Sequence, residues 1–116
     1  MTAIQDLARG LPEVTEEESF GPGVPVYKIA GKVFAIYQPT EEQVTLKCDP
    51  ELAEELRARY PAVVPGYHTN KRLWNTVRLD GTVPDDELAE LVRHAYEQTV
   101  RGLPKAERQR LLALLD

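Results

Sequence analysis

The segment Ala30-Gly31-Lys32, set between two runs of β-branched and aromatic residues at 24–29 and 33–37, most narrows the folds open to this chain. So short a connection joins the two runs as a tight hairpin, which makes them antiparallel neighbours in a sheet. Across the hairpin, Tyr27, Ile29, Phe34 and Ile36 form the more apolar set and are expected to face a core, with Val26, Lys28, Val33 and Ala35 on the other side. Residues 44–48 alternate as Val, Thr, Leu, Lys and Cys, which predicts a third, half-buried strand. Residues 74–79 alternate again and stop at Asp80-Gly81, giving a fourth strand with Asn75, Val77 and Leu79 on one side and Trp74, Thr76 and Arg78 on the other.

Helix signals lie between and around these strands. Thr2 and Gln5 fit a capping box ahead of the stripe Ile4, Leu7, Ala8 and Leu11, with Gly10 as the stop. Asp49-Pro50 pairs a cap with a first-turn proline, and Leu52, Leu56 and Tyr60 form one side of a short helix ended by Pro61. Pro84-Asp85-Asp86-Glu87 opens the clearest helix, with Leu88, Leu91, Val92, Ala95 and Thr99 facing inward and Gly102 past its end. A last, leucine-rich helix at 104–115 carries Leu111, Leu112, Leu114 and Leu115, which dock on the body or on another chain and leave dimerisation open. The order of elements predicts an α+β two-layer sandwich, an antiparallel sheet with helices on one face and the other face open. At 116 residues the chain supplies one core, so 1–116 reads as a single domain.

No apolar run approaches the ~20 residues that span a bilayer, and the N-terminus lacks the features of a secretory leader. The expected address is the cytoplasm. Cys48 is the one cysteine, which excludes an internal disulfide; beside Lys47 it reads either as a reactive thiol or as a small buried apolar group. Two histidines, His68 and His94, make no metal constellation of recognised spacing, and the acidic run Glu13, Glu16, Glu17 and Glu18 reads as a solvated face. No nucleophile, base and orienting group assemble from spacing alone, so no catalytic residue, metal or cofactor is assigned and the expectation is a non-enzymatic protein. The net charge of −5 argues against indiscriminate binding to nucleic acid, unless the cations are grouped away from the acids. Lys28, Lys32, Lys47, Lys71, Arg72 and Arg78 do fall in the predicted sheet and its turns.

The segment 65–77 gathers side chains suited to recognition. It holds Tyr67, His68, Asn70, Lys71, Arg72, Trp74 and Asn75 within a turn and the start of a strand. Lys71 and Arg72 suit phosphates and the asparagines suit backbone or base edges, while the bland alternative is a solvated turn. Trp74 and Tyr67 suit stacking, although a lone tryptophan in so small a domain reads first as a core anchor. His68 reads as a hydrogen-bonded structural residue. Lys28, Thr45, Lys47, Trp74, Thr76 and Arg78 are expected to share the uncovered sheet face.

Leu11-Pro12, Phe20-Gly21, Tyr27-Lys28, Gly31-Lys32, residues 46–50, residues 65–68, Asn70-Lys71, residues 74–77 and residues 79–81 follow one another in an order and spacing that resemble the MmcQ/YjbR family. Thr69 and Ala95 depart from that pattern, where the family often carries Met and Ser. The resemblance implies a fold like that of the bacterial frataxin CyaY, and double-stranded DNA as the partner, since members are commonly labelled DNA-binding. Residue by residue, the candidate nucleic-acid site is Lys28, Lys47, Tyr67, His68, Asn70, Lys71, Arg72, Trp74, Asn75 and Arg78. Two alternatives stand beside it: a protein-interaction adaptor using the open sheet face, and a small-ligand binder or enzyme built around Tyr67, His68, Asn70 and Lys71.

Overall fold

Ala30 and Gly31 both adopt positive φ, 51° and 78°, which is the signature of a type I′ turn and matches the right-handed twist of the strands it joins. Those strands, β2 (Val26–Ile29) and β3 (Lys32–Gln38), close on the turn through the pair Ile29–Lys32. The structure is a computed structural model that describes residues 4–66 and 69–115. Around the hairpin, β1 (Thr15–Glu17), β4 (Gln43–Lys47), β5 (Val63–Pro65) and β6 (Trp74–Arg78) complete one antiparallel sheet in the order β1-β2-β3-β4-β6-β5. The helices α1 (Ile4–Arg9), α2 (Pro50–Arg59), α3 (Asp85–Arg101) and α4 (Lys105–Leu115) pack against it, each burying residues in one shared core cluster. This is the α+β two-layer plan. No helix among the described residues is long and apolar enough to cross a membrane.

Sequence and structure part company at the edges and at one bulge. Alternation predicts four strands, whereas the sheet has six. The additional strands are its edges, β1 with all three residues exposed and β5 with a terminal proline. Neither has an alternating pattern, because an outermost strand of three residues needs none. The β2–β3 register shifts between Tyr27 and Lys28: Tyr27 pairs with Ala35 and Lys28 with Val33, leaving Phe34 as an extra residue. A bulge turns two successive side chains to the same side. Phe34 and Ala35 are both fully buried in the core, and Ile36 passes to the helix-free face opposite Val26 and Thr45. The expectation that Ile36 faces the core and Ala35 faces outward is therefore reversed.

The core centres on α3. Tyr96 meets Phe34 edge to face, with ring centroids 5.7 Å apart, and its hydroxyl donates to the Pro12 carbonyl at 2.9 Å. Asp49 caps α2 as read from the sequence, its Oδ2 accepting from the Glu51 and Leu52 amides at 3.1 and 3.2 Å. The proposed cap Thr2 lies outside the described residues. Leu111 is fully buried, Leu112 and Leu115 pack on the core, and Leu114 is 52% exposed, so the leucine-rich tail docks mainly on its own body.

Candidate functional site

Helix-free does not mean flat. Across that face runs a rung of paired residues, Val26, Ile36, Thr45, Thr76 and Val64. Thr45 and Thr76 are each only 2% exposed, and their hydroxyls lie 2.8 Å apart. The mutual hydrogen bond lets two polar side chains sit in the middle of a sheet surface without a desolvation penalty. Above the rung lies a groove of about 590 Å³. Phe20 and Val24, from the β1–β2 connection, form one wall; Thr69, Asn70 and Trp74 form the other. Val33, Ile36, Gln38 and Thr45 line its floor. Phe20 is 62% exposed, the most open large apolar side chain of the described residues.

The wall that carries Trp74 is held in place by Arg57, a residue that sequence reading passes over. From the last turn of α2 its Nε donates to Asn75 Oδ1 at 2.7 Å, and its guanidinium also donates to the carbonyls of Trp74, at 3.2 Å, and Lys71. Asn75 Nδ2 donates back to the Ala53 carbonyl at 3.3 Å. Gly66 closes the loop, its amide donating to the Trp74 carbonyl at 3.0 Å while its own carbonyl accepts from Lys71 Nζ at 3.1 Å.

The candidate residues divide accordingly. Trp74, Lys47 and Arg78 share the helix-free face, as alternation predicts, and Lys47 pairs directly with Trp74. Trp74 is half-buried and stands outside the core cluster, which corrects the reading of it as a core anchor. It lies at the start of an inner strand on the face that no helix covers, so burial comes from the loop beside it. Asn75 is a correction too: it is 2% exposed on the helix-covered face and committed to Arg57 and Ala53, so it makes no part of an outer surface. Asn70 Oδ1 accepts from the Arg72 amide at 3.0 Å, leaving the Arg72 side chain exposed. Arg78 stands four residues along β6 from Trp74, about 13 Å away, and lines no part of the groove. Tyr67 and His68 lie outside the described residues.

Charge is sorted between the two ends of the sheet. At the hairpin end are Lys28, Lys32, Lys47, Lys71 and Arg72; at the other, Glu41, Glu42 and Asp80 surround Arg78. The acidic run lies along the β1 edge and is largely paired. Glu16 accepts from Arg9 at 2.7 Å, Glu17 from Lys28 at 2.9 Å, and Glu13 from Arg110, and each cation holds its carboxyl below the ordinary range. Lys28 is thus, among the described residues, the candidate cation with a carboxylate partner on the neighbouring strand. Among the described residues no cluster of three or more His, Cys, Asp or Glu side chains is placed to hold a metal ion. Burial pushes the Cys48 thiol up to about 11, aided by Asp49, which favours the inert apolar role over the reactive one.

A model of the YjbR family matches residues 9–98. The chain belongs to the YjbR family. It is 42% identical over 89 residues to an uncharacterized protein, YjbR, of Escherichia coli K12, covering 75% of each chain. With the uncharacterized protein YbdF of Escherichia coli O157:H7 it shares 33% identity over 107 residues, 90% of this chain and 88% of the relative. The crystal structure of Deinococcus radiodurans DR2400, a DUF419 domain, superposes with a TM-score of 0.85 at 38% identity over 92% of this chain and 83% of that one. A crystal structure from Pseudomonas syringae gives a TM-score of 0.71 at 26% identity, covering 85% of this YjbR-family chain and 99% of its own.

One further group is set by the junction between β4 and α2. His94 of α3 accepts the Asp49 amide on Nε2 at 3.1 Å, and burial lowers its pKa below the usual 6.5 despite the opposing pull of Asp49 and Glu97. A histidine that must stay neutral binds its proton more readily in the unfolded chain. Its contribution to stability is therefore complete above about pH 6.5 and is lost as pH falls from there through the lower folded value. The paired glutamates begin to lose theirs only below their ordinary 4.5. Denaturation midpoints measured from pH 7.5 to 5 are expected to fall for the wild type and to stay flatter for His94→Gln, whose amide oxygen accepts without titrating. An equal fall in both assigns the acid sensitivity elsewhere.

Proposed function

We propose that this YjbR-family protein is a cytoplasmic, non-enzymatic module that binds double-stranded DNA at the hairpin end of its helix-free face. The observation that carries the reading is the sorting of charge: cations gather around Trp74 although the chain as a whole is acidic. Local grouping of that kind is what phosphate binding needs, because each neutralised phosphate releases counterions. Lys47 and Arg72 are the contacts of choice, since Lys28 is paired with Glu17 and Lys71 is tied to the Gly66 carbonyl.

The reading is tested by titrating a fluorescent duplex with the wild type and with Lys47→Gln/Arg72→Gln at several salt concentrations. Wild-type affinity is expected to fall steeply with salt, and the variant to bind more weakly with a salt slope shallower by about two, near 0.9 for each lost phosphate contact. Salt-independent binding, or none near physiological salt, overturns it. The apolar walls around Phe20 and Trp74 favour a second reading, a protein-interaction adaptor, because exposed aromatics of this kind act as anchors in protein interfaces. A partner retained after nuclease digestion supports that reading.

A further inference from the structure

We propose that the groove beside Trp74 seats a single unpaired nucleobase, so that the protein prefers duplex DNA in which one base has left the stack. This inference rests on the DNA-binding reading and adds what the groove itself does.

Three observations converge on a planar, uncharged, polar ring. The first is size: about 590 Å³ lies within the 300–1,000 Å³ typical of small-ligand clefts. Three strand spacings separate β2 from β6, about 14 Å between backbones, which leaves room for a ring between the side chains rising from the two walls. The second is the lining. It pairs aromatic Phe20 and Trp74 with neutral hydrogen-bonding groups, Gln38, Thr45, Thr69 and Asn70, and includes no charged residue among the described ones. A phosphate inside would meet no cation of the described residues, and an aliphatic side chain would offer the Gln38 and Asn70 amide groups no acceptor. A base meets both requirements, presenting a face for stacking and an edge with donors and acceptors.

The third observation is what the neutral groups are already doing. Gln38 Oε1 accepts from Gln43 at 2.7 Å and Asn70 Oδ1 accepts from the Arg72 amide, which directs the –NH₂ hydrogens of both side chains to other acceptors. The cations stand around the groove rather than in it, with Lys47 paired to Trp74 and Arg72 two residues before it. Phosphates flanking an extruded base would meet them there. A base inside an intact duplex cannot offer its face to a side chain, so the groove selects one that is already unpaired.

Three fluorescent duplexes of equal length separate the possibilities: one fully paired, one with a single-base bulge, and one with an abasic residue in the bulge. Wild type is expected to bind the base bulge about tenfold more tightly than the other two, the worth of one stacked base, with quenching of the single tryptophan. Phe20→Ser, at an exposed position where folding is not at stake, is expected to lose the preference and keep the paired-duplex affinity. Equal affinity for all three overturns the groove assignment and leaves duplex binding standing. No binding to any of them overturns the parent reading and this one with it. A preference that survives with the abasic bulge assigns it to bent backbone and overturns the base seat. A protein partner held through nuclease treatment by the wild type but not by Phe20→Ser, without a bulge preference, gives the groove to the adaptor reading.

Discussion

Arg57→Ala is expected to lower unfolding stability by about 2–4 kcal/mol, a large loss for a charged side chain that is only partly buried. The reason is the destination of its guanidinium rather than its charge. One nitrogen donates to Asn75 Oδ1 at 2.7 Å, where Asn75 is 2% exposed, and the others reach the carbonyls of Trp74 and Lys71. Removing the donor leaves a buried amide oxygen without its partner and cuts the loop from α2. Urea denaturation of both proteins checks the magnitude, and a red shift of the Trp74 emission in the folded variant checks the location. Arg57→Lys is expected to recover little, because an ammonium cannot reproduce a fork aimed at three acceptors. A loss below about 1 kcal/mol would mean that the loop holds itself.

Gly66→Ala is the second large effect, at about 1–3 kcal/mol. A Cβ added there would lie 2.7 Å from Trp74 Cβ and 3.1 Å from its carbonyl carbon, besides meeting Thr69 Oγ1. Thr69 can rotate away, but Trp74 is fixed at the start of a paired strand, so backbone has to shift. The Gly66 amide bond to the Trp74 carbonyl and the Lys71 bond to the Gly66 carbonyl are the contacts that shift would break. Circular dichroism should show the sheet retained, and the denaturation midpoint should drop with the tryptophan emission altered before unfolding. An unchanged midpoint would show that the loop accommodates a methyl group by local movement.

Both effects concern a part of the molecule that sequence reveals unevenly. The hairpin, β4, β6, α2 and α3 were legible because alternation, caps and turn residues all act locally: Asp49 caps the amides two and three residues on, and Ala30-Gly31 turns within two residues. Arg57 was not, because a cation near a helix end looks like any solvated side chain until Asn75, eighteen residues later, is folded against it. Alternation puts Asn75 on the inner side of β6, yet its amide also matches a base-reading residue, and only burial decides between the two. Trp74 shows the reverse, since its size suggested a core and its register put it on the face without helices. The reversal of Ala35 and Ile36 follows from one extra residue, Phe34, which changes the parity of everything after it.

The acidic edge strand has a consequence for how anything reaches this sheet. Strand β1 presents only Thr15, Glu16 and Glu17, all exposed and two of them charged, while β5 at the far side ends in Pro65, which has no amide to donate. An extended peptide arriving at either margin finds three residues to hydrogen-bond, beside two carboxylates at one edge and a missing donor at the other. Margins of this kind disfavour lengthening the sheet with a neighbour's strand and leave its broad side, where the groove lies, as the open approach.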